Sequence, residues 1–263
     1  MLSDYKLTAK RGSEVALSVE SLNVSYGRLQ VLWDVSIDIP KSDIVAVIGP
    51  NGSGKTTLIN TIMGLIKPLS GKITYMGRDI THLSPHERAT LGIAAVPEGS
   101  NNFPELTVYE NLKISAYRNK NNFNKNLNLV YELFPILQDK KGQPAGALSG
   151  GQQKMLSIAR ALMMDAELIL IDEVSLGLAA KVIDAIYKTV KELNTHMGIT
   201  FLIVEQSVPR ALDVANTAYL LRYGKVVMSG ASEELKKSEL IKEAYFDSKA
   251  VHRGDMLGVF GRC

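Results

Sequence analysis

One stretch of nine residues carries the glycines and side chains expected of a phosphate-binding loop. It fits the pattern GxxxxGK[ST] and contains Gly49, Pro50, Asn51, Gly52, Ser53, Gly54, Lys55, Thr56 and Thr57. Its glycines allow backbone N–H groups to turn towards an anion, and the N-terminus of the following helix adds a partial positive charge. We expect Lys55 to bind the β- and γ-phosphates and the Thr56 hydroxyl to bind Mg²⁺. A glycine-rich turn without a ligand would explain neither the lysine nor the threonine.

Two acids follow an apolar run later in the chain. Residues 168–171 are Leu-Ile-Leu-Ile, and Asp172 and Glu173 come next. Consecutive apolar residues are typical of a strand buried on both faces of a parallel sheet, so Asp172 should lie at the carboxyl edge, where ligands bind. Asp172 could ligate Mg²⁺ there, and Glu173 could act as a general base or orient the water that attacks the γ-phosphate. A strand that merely ends in acids would be the simpler interpretation if Lys55 were absent.

A second candidate phosphate site is the pentapeptide Leu-Ser-Gly-Gly-Gln at residues 148–152. It leads into a helix predicted over residues 152–164, and its remaining members are Ser149, Gly150, Gly151 and Gln152. Backbone N–H groups at the start of a helix can face a γ-phosphate. A loop of this composition is a weak signal alone. Together with the first loop and the two acids, it predicts a protein that works as a pair.

Alternating strand and helix signals predict the elements that position these motifs. An apolar strand at residues 44–48 precedes the first loop, and a helical pattern begins near Lys55. Strands at residues 166–171 and 200–204 are joined by a crossover helix at residues 182–193, as in right-handed α/β winding. The expected core is therefore an α/β fold around a parallel sheet.

Other elements are predicted outside that core. Residues 17–39 should form antiparallel strands around a turn at residues 26–28, and residues 72–75 should form another strand. A helical stretch covers about residues 108–137. It includes an asparagine-rich segment at residues 119–128, which we predict to be a polar loop between helices.

Composition limits the class of protein. With 263 residues, of which 46% are hydrophobic, the chain can bury a large core as one domain with an inserted lobe. The net charge of +3 is small and the basic residues are scattered, so nothing indicates a nucleic-acid partner. The chain has no apolar run near the ~18 residues that span a bilayer, and residues 1–14 lack the apolar core of a signal peptide. We therefore expect a cytoplasmic protein, and any association with a membrane must come through a partner.

From about residue 17 to residue 240, the chain resembles the nucleotide-binding subunits of ABC transporters. In that family the pentapeptide at residues 148–152 is the signature motif, which caps the ATP bound to a partner subunit, so two chains bury two nucleotides. The resemblance implies a P-loop NTPase core with a parallel sheet, an antiparallel β-subdomain, and a helical subdomain inserted at about residues 97–157. That subdomain docks on membrane subunits. An N-terminal extension at residues 1–16 and a C-terminal tail at residues 246–263 would flank the domain.

The resemblance also implies roles for residues outside the three motifs. Tyr26 matches the aromatic residue that stacks on adenine, and its alternative is an ordinary strand tyrosine. Residues 175–178 match the loop that contacts the other subunit. Val174 and Ala179 stand where many relatives have proline and aspartate, so the details of that contact should differ here.

Two further departures point to one branch of the family. Glu98 replaces the glutamine that senses Mg²⁺ and water, and Gln206 takes the γ-phosphate contact that a histidine makes in most relatives. Glutamine donates a hydrogen bond without a titratable charge, so this contact should depend less on pH. The phrases at residues 95–99, 103–108 and 203–206 resemble the second ATPase subunit of branched-chain amino-acid importers and of their amide or urea relatives.

The resemblance therefore implies a subunit that binds and hydrolyses ATP with Mg²⁺ to power the uptake of branched-chain amino acids or related small polar solutes. Each chain would supply Tyr26, the loop at residues 49–57, Asp172, Glu173 and Gln206 to one ATP. It would supply residues 149–151 to the other ATP. Its partners would be membrane subunits, a second ATPase subunit that is identical or paralogous, and indirectly a solute-binding protein.

Other classes of protein remain open from the sequence. A soluble ABC ATPase that acts as a scaffold or assembly factor would use the same residues without a membrane partner. A DNA-repair ATPase of related architecture would need a long coiled-coil insertion between the two phosphate sites, and the chain has no room for one. A P-loop kinase would leave residues 148–152 unexplained.

Overall fold

The computed structural model of the chain describes residues 14–99, 101–117, 120–175 and 177–238. Within these ranges the strands are β1 Val15–Tyr26, β2 Leu29–Pro40, β3 Ile44–Ile48, β4 Ser70–Tyr75, β5 Arg78–Asp79, β6 Ile93–Val96, β7 Leu168–Asp172, β8 Thr200–Glu205, β9 Thr217–Arg222 and β10 Lys225–Ala231. The α-helices are α1 Lys55–Ile62, α2 Pro85–Thr90, α3 Val108–Ser115, α4 Phe123–Leu133, α5 Pro135–Asp139, α6 Gly150–Met163, α7 Ala180–Met197, α8 Val208–Val214 and α9 Ser232–Leu235. The tail predicted at residues 246–263 and most of the predicted N-terminal extension lie outside the described residues.

A six-stranded sheet forms the centre of the molecule, in the order β10-β9-β3-β8-β7-β6. Strands β6, β7, β8, β3 and β9 pair in parallel, and β10 is antiparallel to β9. Every residue of β3, β7 and β8 is buried, which explains why these strands are apolar runs without alternation. The α/β core predicted from those runs is confirmed.

A second, antiparallel sheet has the order β2-β1-β4-β5. Strands β1 and β2 form a hairpin in which Tyr26 pairs with Leu29 across the two-residue turn of Gly27 and Arg28. Gly27 has a φ of +59°, a conformation that tight hairpin turns require and glycine adopts at low cost. The predicted strands at residues 17–39 and 72–75 are therefore present.

The central sheet packs on both faces, and alternate residues of each strand enter different cores. Val45 and Val47 of β3 pack with the antiparallel sheet and α1. Ala46 and Ile48 face the other way and pack with residues from helices α3 to α8. Burial on both faces fixes the register of these strands, and their carboxyl ends then present polar residues to one edge.

The helical region differs from the sequence prediction at the asparagine-rich segment. Helix α4 begins at Phe123, so the polar loop predicted for residues 119–128 is wrong from that residue onward. Asn126 shares the buried face of this helix with Leu129 and Val130, and it donates from its Nδ2 to the Leu162 carbonyl at 3.4 Å and to a carboxylate oxygen of Asp165. A buried polar side chain that finds partners on a neighbouring helix end can replace an apolar one. Asn119 lies outside the described residues.

Arg88 of α2 is a fully buried cation that fastens α1 to the rest of the molecule. Its guanidinium donates to the carbonyl groups of Thr61 and Ile62 at 2.7 and 2.6 Å, at the end of α1. It also donates to the carbonyls of Thr81 and Leu83 at 2.8 and 3.0 Å. Terminal helix carbonyls lack partners within their own helix, so Arg88 satisfies groups that burial would otherwise leave unpaired.

Candidate functional site

The carboxyl ends of β3, β8 and β7 bring the predicted motifs together. In the parallel register, Ile48 pairs with Glu205, and Val204 pairs with Asp172. The residues that follow these strands therefore lie side by side, with Gly49 after β3, Gln206 after β8 and Glu173 after β7. A backbone hydrogen bond of 3.3 Å from the Gly49 N–H to the Glu205 carbonyl joins two of these ends. Ligands of parallel α/β sheets bind at this edge.

The loop at residues 49–57 has a shape that only glycine permits at two of its positions. Gly54 precedes α1 with a φ of +106°, and a Cβ there would lie 2.6 Å from the Leu32 side chain. A Cβ on Gly49 would lie 2.2 Å from the Leu221 carbonyl oxygen. The hydroxyl of Ser53 is buried without a hydrogen-bond partner among the described residues. A buried unpaired hydroxyl beside a helix N-terminus fits a loop shaped for an anion.

Lys55 is buried within this loop. Its Nζ donates to the carbonyls of Gly49 and Pro50 at 3.0 and 3.2 Å, and lies 3.3 Å from Oε1 of Glu173. The structure thus brings together the two side chains to which the sequence assigns phosphate binding and water activation. In this structure the Lys55 ammonium group contacts the Glu173 carboxylate and the two loop carbonyls.

Asp172 and Thr56 supply oxygen atoms of the kind that Mg²⁺ prefers. Asp172 is buried at the end of β7, and its Oδ1 has no hydrogen-bond partner among the described residues. Burial raises the pKa of this carboxyl, whereas an interaction with the Thr56 side chain lowers it. A hard cation bound at Oδ1 would keep the carboxylate charged. The residues present therefore fit Mg²⁺.

The acids do not build a metal cage on their own. Within the ranges that the structure describes, no group of three or more His, Cys, Asp or Glu side chains could hold a metal ion. Glu98 is exposed, but the negative charges of Glu173 and Glu98 both contribute to raising the pKa of Asp172, so Glu98 lies near the same site. Mg²⁺ commonly combines one or two protein oxygens with waters and phosphates, and this arrangement suits such a site.

Glu173 occupies an unusual backbone conformation. Its φ is +40°, in the left-handed region that non-glycine residues rarely adopt. Its N–H donates to the Val204 carbonyl at 3.0 Å, and its side chain is almost completely buried beside Lys55. Strained backbone of this kind persists only where the surroundings hold it.

Tyr26 and Gln206 border the phosphate-binding loop at the surface. The Tyr26 hydroxyl lies 3.4 Å from Oγ1 of Thr57, and 51% of the residue is exposed. Its ring is therefore accessible beside the first turn of α1, as stacking on a base requires. Gln206 is exposed directly after β8. Both roles, adenine stacking and γ-phosphate contact, stay predictions.

The second candidate phosphate site forms the start of α6, which begins at Gly150 rather than at residue 152. Ser149 is the N-cap, and its hydroxyl accepts from the Gln152 N–H while the Gln152 side chain accepts from the Ser149 N–H. Gly150 is exposed, and a Cβ on Gly151 would lie 2.5 Å from Val182 of α7. The pattern Ser-x-x-Gln is a capping-box signal that could have predicted the true helix start.

A cavity of about 220 Å³ joins this helix start to the first site. Its walls include Glu98, Gly150, Lys154, Glu173 and Leu178. The beginning of α6, the loop of residues 97–99 after β6 (the Glu98 loop) and the turn after β7 therefore share one space. Leu176 of the turn lies outside the described residues.

Sequence reasoning missed two buried charges beside Glu173. Lys154 of α6 is 5% exposed, and burial lowers the pKa of its ammonium group to about 8, against the opposing effect of nearby carboxylates. Glu205, the last residue of β8, is completely buried and accepts a 2.6 Å hydrogen bond from the Tyr187 hydroxyl. Burial, and then the neighbouring Glu205 carboxylate, raise the pKa of Tyr187. Glu205 could have been predicted to lie near the site, because it is an acid at the end of an apolar run. No pattern in the sequence around Lys154 indicates that its side chain is buried at the site.

Comparison with known proteins gives consistent matches over most of the chain. The family model described as ABC transporter matches residues 32–175. A protein of Archaeoglobus fulgidus named "Probable branched-chain amino acid transport ATP-binding protein LivF" is 42% identical over 224 residues, which cover 85% of this chain and 95% of that protein. The "High-affinity branched-chain amino acid transport ATP-binding protein BraG" of Pseudomonas aeruginosa is 40% identical over 230 residues, 87% of this chain and 98% of that protein.

Solved structures match the fold over a similar length. A nucleotide-free ATP-binding cassette from an ABC transporter superposes with a TM-score of 0.79 at 31% identity, covering 88% of this chain and 98% of that one. A dimeric ATP-binding cassette in a post-hydrolysis state, bound to ADP and Pi, superposes with a TM-score of 0.74 at 26% identity, covering 82% and 98%.

Proposed function

The chain belongs to the ABC transporter family and is an ATPase of that family, and from this premise we propose that it powers the uptake of branched-chain amino acids or related small polar solutes through separate membrane subunits. The observation that carries the catalytic part is the contact between Lys55 and Glu173 beside Asp172. The solute is inferred from the names of the relatives, which are branched-chain amino acid transport ATP-binding proteins.

One nucleotide would bind across the strand ends. Backbone N–H groups of residues 49–57 would hold its phosphates, with Lys55 on the β- and γ-phosphates and the Tyr26 ring against the base. Thr56 and Asp172, with Glu98 nearby, would hold Mg²⁺, which neutralises phosphate charge when it is bound. Gln206 would donate a hydrogen bond to the γ-phosphate, where negative charge is spread in the transition state.

Glu173 would then act on the attacking water. When Lys55 binds phosphate, it leaves the Glu173 carboxylate free to accept a proton from that water. The water oxygen forms a bond to the γ-phosphorus, the bond from the γ-phosphorus to the bridging oxygen breaks, and ADP and phosphate result. The near-complete burial of Glu173 limits access of other waters to the carboxylate.

A second ATPase subunit, identical or paralogous, would complete the site. Ser149 and Gly150 are exposed at the start of α6, where backbone N–H groups and the helix dipole favour an anion. We propose that they contact the γ-phosphate of the partner's ATP. ATP would then favour the closed pair, and loss of the γ-phosphate would favour reopening.

A groove on the helical region suits a membrane subunit. The groove has a volume of about 430 Å³ and lies between α2, α3 and α6. Phe103, Ile114 and Tyr117 line it and are exposed, with Arg160 and Glu167 among its charged residues. Among the described helices, none is both long and apolar enough to cross a bilayer. We propose that the helical subdomain, about residues 97–157 of a domain spanning 17–240, receives the membrane subunit in this groove and holds the chain at the inner face of the membrane.

Affinity purification from detergent-solubilised membranes tests the transport assignment. We expect a tagged chain to retain a polytopic membrane protein and a second ATPase, and we expect Tyr117→Glu to lose the membrane protein because it buries a charge in the groove. Lys191→Glu, on α7 and not among the residues that line the groove, is the control and should retain it. A chain that hydrolyses ATP but retains no membrane protein would favour a soluble ABC ATPase instead.

A further inference from the structure

Buried charged side chains bind the backbone immediately before and immediately after Glu173. Glu173 has a φ of +40°, which a non-glycine residue keeps only when neighbouring contacts enforce it. Those contacts come from Lys154 on the side of β7 and from Glu205 on the side of the turn that follows. Both side chains contact the main chain around Glu173, whereas the Glu173 carboxylate contacts Lys55.

Lys154 holds carbonyl groups from two segments. Its Nζ donates to the carbonyls of Asp172 and Pro97 at 2.8 and 2.6 Å, and it lies 3.3 Å from the Glu173 carbonyl and 3.5 Å from the Glu98 carbonyl. An ammonium group has three donors, so these four oxygens share them. Lys154 sits in the first turns of α6, so one side chain ties the start of that helix to the Glu98 loop and to the end of β7.

Glu205 holds the amide groups that follow Glu173. Its Oε1 accepts from the N–H groups of Val174 and Ser175 at 2.9 and 3.0 Å, and from the Tyr187 hydroxyl at 2.6 Å. Its Oε2 accepts from the Ser175 hydroxyl at 2.7 Å. A completely buried carboxylate with four donors is fully satisfied, and such networks rigidify the segment that they bind.

We propose that Lys154 and Glu205 form a clamp that positions Glu173 for water activation. Lys154 binds the carbonyls of Asp172 and Glu173 at the end of β7. Glu205 binds the N–H groups of the next two residues. Together they hold the strained turn in which the Glu173 side chain points at Lys55. This proposal rests on the role of Glu173 in the proposed function, and it makes Lys154 and Glu205 positioning residues rather than catalytic ones.

The clamp also connects the phosphate-binding loop, the Glu98 loop and the start of α6 to the turn that carries Glu173. The main chain of Glu205 accepts the Gly49 N–H at the start of the phosphate-binding loop, while its side chain holds Val174 and Ser175. Lys154 adds the Glu98 loop and α6. A shift of any of these segments therefore changes the position of Glu173.

Steady-state ATP hydrolysis by the purified full chain tests the clamp. Lys154→Met and Glu205→Gln should each lower kcat by about ten- to a hundred-fold, the scale of a small misplacement of a catalytic group, while the Kd for ATP stays within about three-fold. Tyr187→Phe removes one hydrogen bond and should give a smaller loss of kcat, which keeps the test open if a stronger variant fails to fold. Lys191→Met and Tyr75→Phe are the matched controls, because Lys191 is exposed on α7 and the Tyr75 hydroxyl has no partner among the described residues.

A double-mutant cycle separates positioning from general stability. If the clamp acts through Glu173, then Tyr187→Phe or Glu205→Gln should cost nothing further in a Glu173→Gln background. Losses of kcat that add to that of Glu173→Gln, or clamp variants with the kcat of the wild type, would overturn the clamp. Failure of the wild-type chain to hydrolyse ATP, both alone and together with the second ATPase that it retains, would instead overturn the proposed function.

Discussion

The ammonium group of Lys55 lies 3.3 Å from the Glu173 carboxylate, and both side chains are almost completely buried. The two residues come from segments far apart in the chain and meet where β3 and β7 end on either side of β8. One carboxylate therefore neutralises the cation that the phosphates must bind. When phosphate binds Lys55, it would replace the Glu173 carboxylate as the partner of the ammonium group, and the carboxylate would be released. We call this replacement the exchange.

This exchange predicts how Glu173→Gln binds nucleotide. The amide cannot hold Lys55 as an ion pair, and it does not repel the γ-phosphate. We expect the Kd for ATP to be unchanged or lower by up to roughly ten-fold, as one nearby charge at a partly buried site can produce. Titration with a fluorescent ATP analogue measures it, with Glu192→Gln on α7 as control. A large loss of affinity would mean that Glu173 helps to bind nucleotide.

Ser149→Asp separates the two roles of the residue that begins α6. Aspartate is as good an N-cap as serine, so the midpoint of thermal unfolding should stay within a few degrees of the wild type. Its charge would repel the γ-phosphate of a partner's ATP, so kcat should fall by about ten-fold or more. Ser84→Asp, in the equivalent capping box of α2, should keep full activity. Equal kcat for both variants would remove Ser149 from the partner's site.

Gln206 should matter mainly in the transition state. Gln206→Ala should lower kcat by roughly a hundred-fold, the scale for one lost hydrogen-bond donor, with KM within about two-fold. Gln206→His should restore much of the rate and add a pH dependence above pH ~6.5, the unperturbed pKa of imidazole. A neighbouring phosphate favours imidazolium, so the ratio of variant to wild-type kcat should fall as pH rises. A Gln206→Ala variant with wild-type kcat would make Gln206 only a strand-end residue.

Arg88→Met tests the structural use of a buried cation. It leaves the carbonyls of Thr61, Ile62 and Thr81 without their donor, so the free energy of unfolding should fall by about 3 kcal/mol. Urea denaturation measures the change, and Arg78→Met at the exposed β5 is the control. A loss below about 0.5 kcal/mol, typical of surface sites, would contradict this role.

Local signals were sufficient to predict the parts of the site that follow buried strands. Gly49 and Asp172 each stand where an apolar run ends, and parallel pairing brings such ends to one edge. Lys55 follows Gly49 in the same contiguous motif. The strand and helix that carry the phosphate-binding loop could be predicted for the same reason, since the motif and its elements are contiguous.

The residues that support the site could not be predicted in this way. Lys154 bonds to carbonyls of Pro97 and Asp172, and its meaning depends on contacts that only the folded chain creates. Asn126 likewise satisfies the end of α6 from a helix that composition alone marked as a loop. The ion pair of Lys55 with Glu173 could not be predicted either, because the motif predicts phosphate as the lysine's partner.

The rate of phosphate release from MgATP by the purified chain, compared with that of Glu173→Gln, tests the central claim most directly. We predict steady hydrolysis by the wild type and a decrease of about a thousand-fold in the variant, within the range for loss of a general base, with ATP still bound. Hydrolysis by Glu173→Gln at the wild-type rate would contradict the assignment of Glu173 as the group that activates water.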